Sequence, residues 1–354
     1  MVETEQQINP VPKVPVPDWD HYEDPTRLYN SFEFGPAWWF HVPMFLSGIY
    51  WAVRLRKANF FAAANPNLEN GGLYNYSKFA AQNHFPVANI PATLLVNSNE
   101  DATKIWERIR LFDIGSPFIV KPDFGERGKG VKLLGTFSEL EQYLKAVVNQ
   151  NLIIQEFIDV PEEYGVFFVV DPERHQLSIP SLTKKIPLQV IGNGQSTISE
   201  LIVAHPRVSR YQGLLEVYES VPAAGEKVNL SPMGNHCKGA VFLDYSERIN
   251  AEIVGAFQHI FDNVKGIHYG RLDVKVNQFG DLSNPELIKI LEVNGANAEP
   301  IHMYSPDKNY KSGLKTIHKF FGQMADVAEF YLRKDRRKFN TKENWKSLIS
   351  YFGK

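Results

Sequence analysis

The stretch from Tyr269 to Pro300 reads "YGRLDVKVNQFGDLSNPELIKILEVNGANAEP". Two apolar runs, "RLDVKV" and "LIKILEVN", flank a Gly-Asp and Asn-Pro turn region, which predicts a pair of antiparallel strands. Such a pair brings Asp273 close to Glu292 and Asn294, and the two-residue period of a strand puts Glu292 and Asn294 on one face. Two acids and an amide beside a phosphate are the oxygen ligands a hard cation such as Mg²⁺ takes, because it keeps several waters and binds few protein oxygens. Two separate surface acids are the alternative reading. The cost of unpaired carboxylates inside apolar strands favours the cation site.

Upstream, Pro117 to Val131 reads "PFIVKPDFGERGKGV". Lys121 ends an apolar strand, and the loop behind it carries Gly125, Gly128, Lys129 and Gly130. Glycines let backbone N–H groups approach an anion closely, so the loop points to phosphate. A P-loop is excluded, since that motif leads into a helix whereas this loop runs into "VKLLG", a second short strand. The unit is a hairpin able to fold over a nucleotide, with Lys121 on the sheet beneath and Lys129 on the lid. An ordinary solvated hairpin is the alternative.

Around these two segments strands and helices alternate. Ser138 and Glu141 have the spacing of a capping box ahead of "LEQYLKAVV", and "NLIIQEFI" returns as a strand. "EYGVFFVVDPERHQLSIPSLTKK" predicts two strands joined by an Asp-Pro turn, and "IGNGQSTISELI" a glycine turn entering a Thr197-capped helix. In "SERINAEIVGAFQHIFDNV", Ile249, Ile253, Phe257 and Ile260 fall on one helical face and are expected in the core. The fold class is α+β.

This ordered series resembles the ATP-grasp ligases, in particular D-alanine-D-alanine ligase and its relatives, from about Lys78 to Pro306. The resemblance implies an ATP-grasp fold in which two α+β subdomains clasp ATP. It gives Lys78 and Lys121 as the nucleotide lysines, and Gly125, Gly128, Lys129 and Gly130 as the lid. Gln155, Glu156, Phe157 and Ile158 in "IIQEFI" are the hinge whose backbone reads adenine. Glu163 is the ribose-binding acid, with Glu162 as an adjacent competitor. Asp273, Glu292 and Asn294 match the ligands of Mg²⁺, with Mn²⁺ as a substitute, and Arg271 matches the arginine facing the transferred acyl group. The implied activity joins a small carboxylate to an amine, amino-acid or peptide-like, through an acyl phosphate. Such ligases continue after the asparagine with a Ser/Thr-Pro-Gly-Met segment, where this chain has "GANAEP". The region from "VIGNGQSTISELI" to "GEKVNLSPMGNHCKGAVFLD" is similar instead to an insert of glutathione-synthetase-like and cyanophycin-synthetase-like enzymes, and places His236 and Lys238 in a loop able to approach the acyl phosphate.

Composition narrows the class further. The 354 residues carry a formal net charge of -2 and are 44% hydrophobic, enough for two or three globular domains and unlike a dedicated nucleic-acid binder. The single cysteine, Cys237, excludes an internal disulfide framework and fits a reducing, cytoplasmic setting. The opening "MVETEQQINPVPKVPVPDWD" is acidic and proline-alternating, unlike a secretion signal. One segment departs from a soluble enzyme: Gly35 to Val53, "GPAWWFHVPMFLSGIYWAV", is aromatic and free of formal charge, and "RLRK" follows. Interrupted by Pro43 and Gly48, it reads as an interfacial helix or hairpin at the inner face of a membrane, or as a segment packed on the main domain. From Asp307 onward twelve Lys/Arg face five Asp/Glu, with Phe339, Trp345, Tyr351 and Phe352 interleaved, so this end too is able to touch anionic lipid.

The expected organisation is an N-terminal arm and aromatic segment (1–64), a nucleotide-lid subdomain (65–165), a metal and substrate subdomain (166–306) and a basic helical tail (307–354). ATP, a carboxylate and an amine are the expected partners; an anionic membrane surface and a homodimer are the further ones considered. A phosphotransferase sharing the nucleotide residues, and a membrane-associated nucleotide sensor, are the competing functions.

Overall fold

Helix α1 (Trp38–Arg54) is continuous through Pro43, which sits in its first two turns. The aromatic segment is therefore one helix. The computed structural model describes residues 19, 24–28, 33–36, 38–125, 128–205, 207, 218–230, 239–335 and 339. Helix α2 (Phe60–Ala64) follows, and then α3 (Lys78–Gln82), whose N-cap Ser77 accepts from the Ala80 amide.

Four strands form the first sheet, antiparallel throughout: β1 (Thr93–Asn97), β2 (Phe118–Pro122), β3 (Lys132–Leu134) and β4 (Asn151–Glu156), in the order β1-β4-β2-β3. Their alternation is two-sided. Leu94, Val96, Phe118, Val120, Leu152 and Ile154 face helices α4 (Ala102–Leu111) and α5 (Phe137–Ala146) and form a core with them. Lys121, Gln155 and Thr93 lie on the opposite face. The cap of α5 differs from the expected Ser138/Glu141 pair. Thr136 and Glu139 make it: Thr136 Oγ1 accepts from the Glu139 amide at 3.3 Å, and the Glu139 carboxylate accepts from the amides of Thr136 (2.9 Å) and Gly135 (2.7 Å). Both pairs fit the capping spacing in "TFSELE". The earlier one wins because it satisfies an additional amide and starts the helix directly behind β3.

The second sheet holds five strands, β5 (Glu162–Val170), β6 (Leu177–Ile186), β9 (Val241–Asp244), β10 (Tyr269–Val276) and β11 (Lys289–Asn294), in the order β11-β10-β5-β6-β9. A two-stranded ribbon of β7 (Gln189–Ile191) and β8 (Lys227–Asn229) lies beside helix α6 (Ile198–Ala204), which Thr197 and Glu200 cap as expected. One face of the large sheet, with Tyr164, Val166, Phe168, Leu272 and Val274, packs on helix α7 (Ala251–Phe261). Ile253, Phe257 and Ile260 of α7 are buried there, and Ile249, just ahead of the helix, packs against the same core. On the other face, Phe167 and Tyr269 are covered by α2 and the long helix α8 (Tyr310–Lys334). Phe320, Met324, Ala325 and Ala328 of α8 are buried, so this helix is structural where it meets the sheet. Beyond that cover the same sheet face turns polar.

Candidate functional site

Register sets the site. Asp273 pairs with Glu292 across β10 and β11, Arg271 pairs with Asn294, and on the other side of β10 Asp273 faces Gly165 and Lys275 faces Glu163. Glu163 in turn faces Lys185 of β6. All of these side chains project from one face of the sheet, because alternate strand residues do. Asp273 is the hub: Arg271 donates to both its oxygens (Nε to Oδ1, 2.7 Å; Nη2 to Oδ2, 3.2 Å), Lys185 Nζ lies 3.0 Å from Oδ1, and Asn294 Nδ2 donates to Oδ2 at 3.3 Å. Lys185 also donates to Glu163 at 2.8 Å. At Gly165 a Cβ would lie 2.8 Å from Ile301 Cδ1 and 3.2 Å from Arg271 Cδ. Only glycine leaves the arginine stem its course.

Helix α3 and the first sheet each supply a lysine. Lys78 Nζ donates to Glu292 Oε1. Lys121 Nζ donates to Gln155 Oε1 at 2.9 Å and reaches the Leu291 carbonyl on β11 at 3.2 Å, so it links the two sheets. Both lysines are aligned by Asp123, next to β2, whose carboxylate accepts from Ser77 Oγ (3.0 Å) and the Phe79 amide (2.9 Å) while its carbonyl accepts from the Lys78 amide. The start of α3 is thereby fixed to the strand that carries Lys121.

Charge decides what this arrangement holds. Burial alone would raise the Asp273 carboxyl, but Arg271 and Lys185 hold it well below the usual range. Glu292 is likewise lowered: burial opposes ionisation, and the Lys78 ammonium overrides it. Burial pushes the Lys121 ammonium down to about 8, with the Lys78 charge adding to it and Glu292 opposing. Burial also lifts the Tyr76 phenol, beside Lys78 and Glu292, to about 12. Lys78, Lys185 and Arg271 are drawn to Glu292, Glu163 and Asp273, with Asp123 and Glu299 close by, whereas Lys121 hydrogen-bonds only neutral oxygens among the described residues. An ammonium held at the sheet junction without an ion-pair contact suits a polyanion.

The glycine loop follows Lys121 at the end of β2 and lies against Pro122 and Tyr143. Gly125, Gly128 and Gly130 all have positive φ, and Tyr143 of α5 donates to the Gly130 carbonyl at 2.6 Å, tethering the loop to the first core. Lys129 is exposed on it. A cleft of about 770 Å³ opens beneath the loop, between Pro122, Gly125, Lys129 and Tyr143, away from Asp273 and Glu292. Of the expected hinge, Gln155 is buried and its amide donates to Gln82 (3.3 Å) and Thr93 (3.1 Å), while Glu156 accepts from the Ala92 amide at 3.1 Å. The Ile158 carbonyl accepts from Lys275, whose ammonium also lies 5.4 Å over the Phe157 ring. Glu163 is drawn to Lys185, and its neighbour Glu162 to Lys184 (2.5 Å) and the Tyr164 hydroxyl (2.7 Å). His236 and Lys238 lie outside the described residues.

Three contributors were not singled out from sequence: Lys185, Asp123 and Glu299, whose carbonyl accepts from Arg271 at 3.0 Å and whose carboxylate accepts from the Tyr304 hydroxyl at 3.0 Å. A signal existed for the first. "SLTKK" puts a lysine at an inward position of an apolar strand, which is costly unless acids wait for it.

Residues 76–174 match the RimK-like ATP-grasp domain. Cyanophycin synthetase of Trichormus variabilis is 26% identical over 242 residues, covering 60% of this chain and 25% of the relative. The glutathione biosynthesis bifunctional protein GshAB of Clostridium perfringens is 25% identical over 230 residues, covering 57% of this chain and 28% of the relative. The chain thus spans about a quarter of the length of these curated relatives. Among solved structures, the D-alanine-D-alanine ligase of Bacillus anthracis aligns with 73% of this chain and 69% of its own at 15% identity, with a TM-score of 0.41. Residues 76–174 are thus similar to a RimK-like ATP-grasp domain, and they lie within an α+β fold.

Proposed function

We propose that the protein is an ATP- and Mg²⁺-dependent carboxylate-amine ligase that works through an acyl phosphate. The observation that carries this reading is Lys121 at the sheet junction: half-buried and hydrogen-bonded only to neutral oxygens, it lies next to the Lys78–Glu292 pair. A triphosphate gives it an anionic partner. Asp273, Glu292 and Asn294 are the residues that would hold a divalent cation: register places them side by side on one polar sheet face, where the Asn294 amide, its nitrogen on Asp273 Oδ2, can turn to present its oxygen. When bound, that cation neutralises phosphate oxygens.

The chain's own groups account for the rest. Lys78 and Lys121 hold the phosphates, and the glycine loop, tethered through Tyr143, excludes water from the reacting phosphoryl group. Arg271, fixed by Asp273 and the Glu299 carbonyl, keeps its guanidinium charged beside the point where the acyl oxygen develops charge, as its raised pKa requires. Glu163 and the 155–158 segment are the proposed ribose and adenine contacts. The cyanophycin and glutathione relatives favour an amino-acid or peptide carboxylate as substrate, and "GANAEP" in place of the Ser/Thr-Pro-Gly-Met segment argues against D-alanine.

Incubation with ATP, Mg²⁺ and hydroxylamine over a panel of amino-acid and peptide carboxylates tests the reading. Hydroxamate accumulates with stoichiometric ADP only where the carboxylate is accepted. A stable phosphorylated product without hydroxamate assigns the protein to the phosphotransferases instead.

A further inference from the structure

Helix α1 turns a continuous apolar stripe outward. Trp38, Val42, Phe45, Leu46, Ile49 and Val53 fall within about 100° of arc at 100° per residue, and all six are exposed, Trp38 by 61%, Phe45 by 68% and Val53 by 71%. The opposite side of the helix is satisfied: Phe40 is buried, Gly48 faces Phe321 and Trp51 lies against Gly322 of α8. A contiguous patch of this kind on a surface marks a contact face.

Charge identifies the contact. Helix α1 contains no acid, and Arg54, Arg56 and Lys57 follow the stripe. Helix α8 runs alongside, with Trp39 against Tyr310 and Tyr50 and Trp51 against His318. On α8, Lys311 and Lys315 are exposed and share the stripe of His318 and Gly322, the side that meets α1. The acids of α8, Asp326 and Glu329, come only in its second half, Asp326 near the charge of Arg54. An indole ring at the start of an apolar stripe and cations beyond its end are the complement of an anionic bilayer surface, where acyl chains meet phosphate headgroups. No helix among the described residues is long and apolar enough to cross a membrane.

We infer that α1 lies in the interface of an anionic bilayer, stripe downward, with Lys311, Lys315 and the Arg54–Lys57 segment on the headgroups. Co-sedimentation of the full chain with phosphatidylcholine vesicles, with and without phosphatidylserine, tests this. Binding requires phosphatidylserine, weakens as salt is raised, and falls about tenfold or more in a Phe45→Glu, Leu46→Glu variant whose circular dichroism is unchanged. Brominated lipid quenches a fluorescence component that Trp38→Phe removes. The inference is overturned by absence of binding to phosphatidylserine vesicles at low salt or by binding that the double variant does not alter. It is also overturned if sedimentation velocity shows self-association that the double variant abolishes, for then a second copy of the chain covers the stripe.

Discussion

Lys185 on β6 reaches across β5 to Asp273 on β10, 3.0 Å from its Oδ1, while holding Glu163 at 2.8 Å. The crossing passes where β5 carries Gly165, opposite Asp273, and so presents no side chain. One ammonium therefore organises two carboxylates of the site, from a strand two removed from β10. Its role is positional.

Removing that ammonium leaves two enclosed acids short of a counter-charge. Lys185→Met is expected to lower unfolding free energy by about 3 kcal/mol, the scale for deleting one partner of a buried ion pair. The loss should shrink in a Glu163→Gln background, where only Asp273 remains to be balanced. Urea denaturation of the four proteins of this cycle measures both values. Additive losses would show that Lys185 and Glu163 do not act as a pair.

Lys121 and Glu292 sit on different sheets, yet both face the proposed phosphate site. Lys121→Ala and Glu292→Gln are each expected to abolish ATP turnover while the thermal transition stays cooperative. Glu292→Gln keeps the shape and loses the charge that balances Lys78. Turnover close to wild type in either variant removes these residues from the site.

The parts legible in the sequence were those where local pattern and tertiary need agree. The β10–β11 pairing, the glycine hairpin after Lys121 and the core face of α7 all follow from alternation or helical period, and the structure shows each. The α5 cap was misplaced because "TFSELE" contains two overlapping capping boxes, and only contact with Gly135 separates them. Lys185, Asp123 and Glu299 were missed for a different reason. Each acts on a residue from another strand or segment, so no spacing along the chain names its partner, although alternation in "SLTKK" marks Lys185 itself as inward. The aromatic segment divides the same way: its sequence marks it as apolar on all sides, and only packing on α8 shows which side remains outward.

The titration of Lys121 offers a test independent of substrate identity. Burial, with Lys78 adjacent, brings its ammonium down to about 8 from an ordinary 10.5, so in the free protein it loses its proton as pH rises through that value. A bound triphosphate favours the protonated form. ATP affinity is therefore expected to be level below about pH 8 and to weaken by up to tenfold per pH unit above it, with proton uptake on binding in that upper range. Lys121→Arg keeps a fixed charge, because a guanidinium does not titrate here, and should bind more weakly overall but with a flat profile. Isothermal titration from about pH 7 to about pH 9.5 in buffers of different ionisation enthalpy reads affinity and proton uptake together. A wild-type profile without a bend near pH 8, or the same bend in Lys121→Arg, would show that Lys121 does not meet the phosphates.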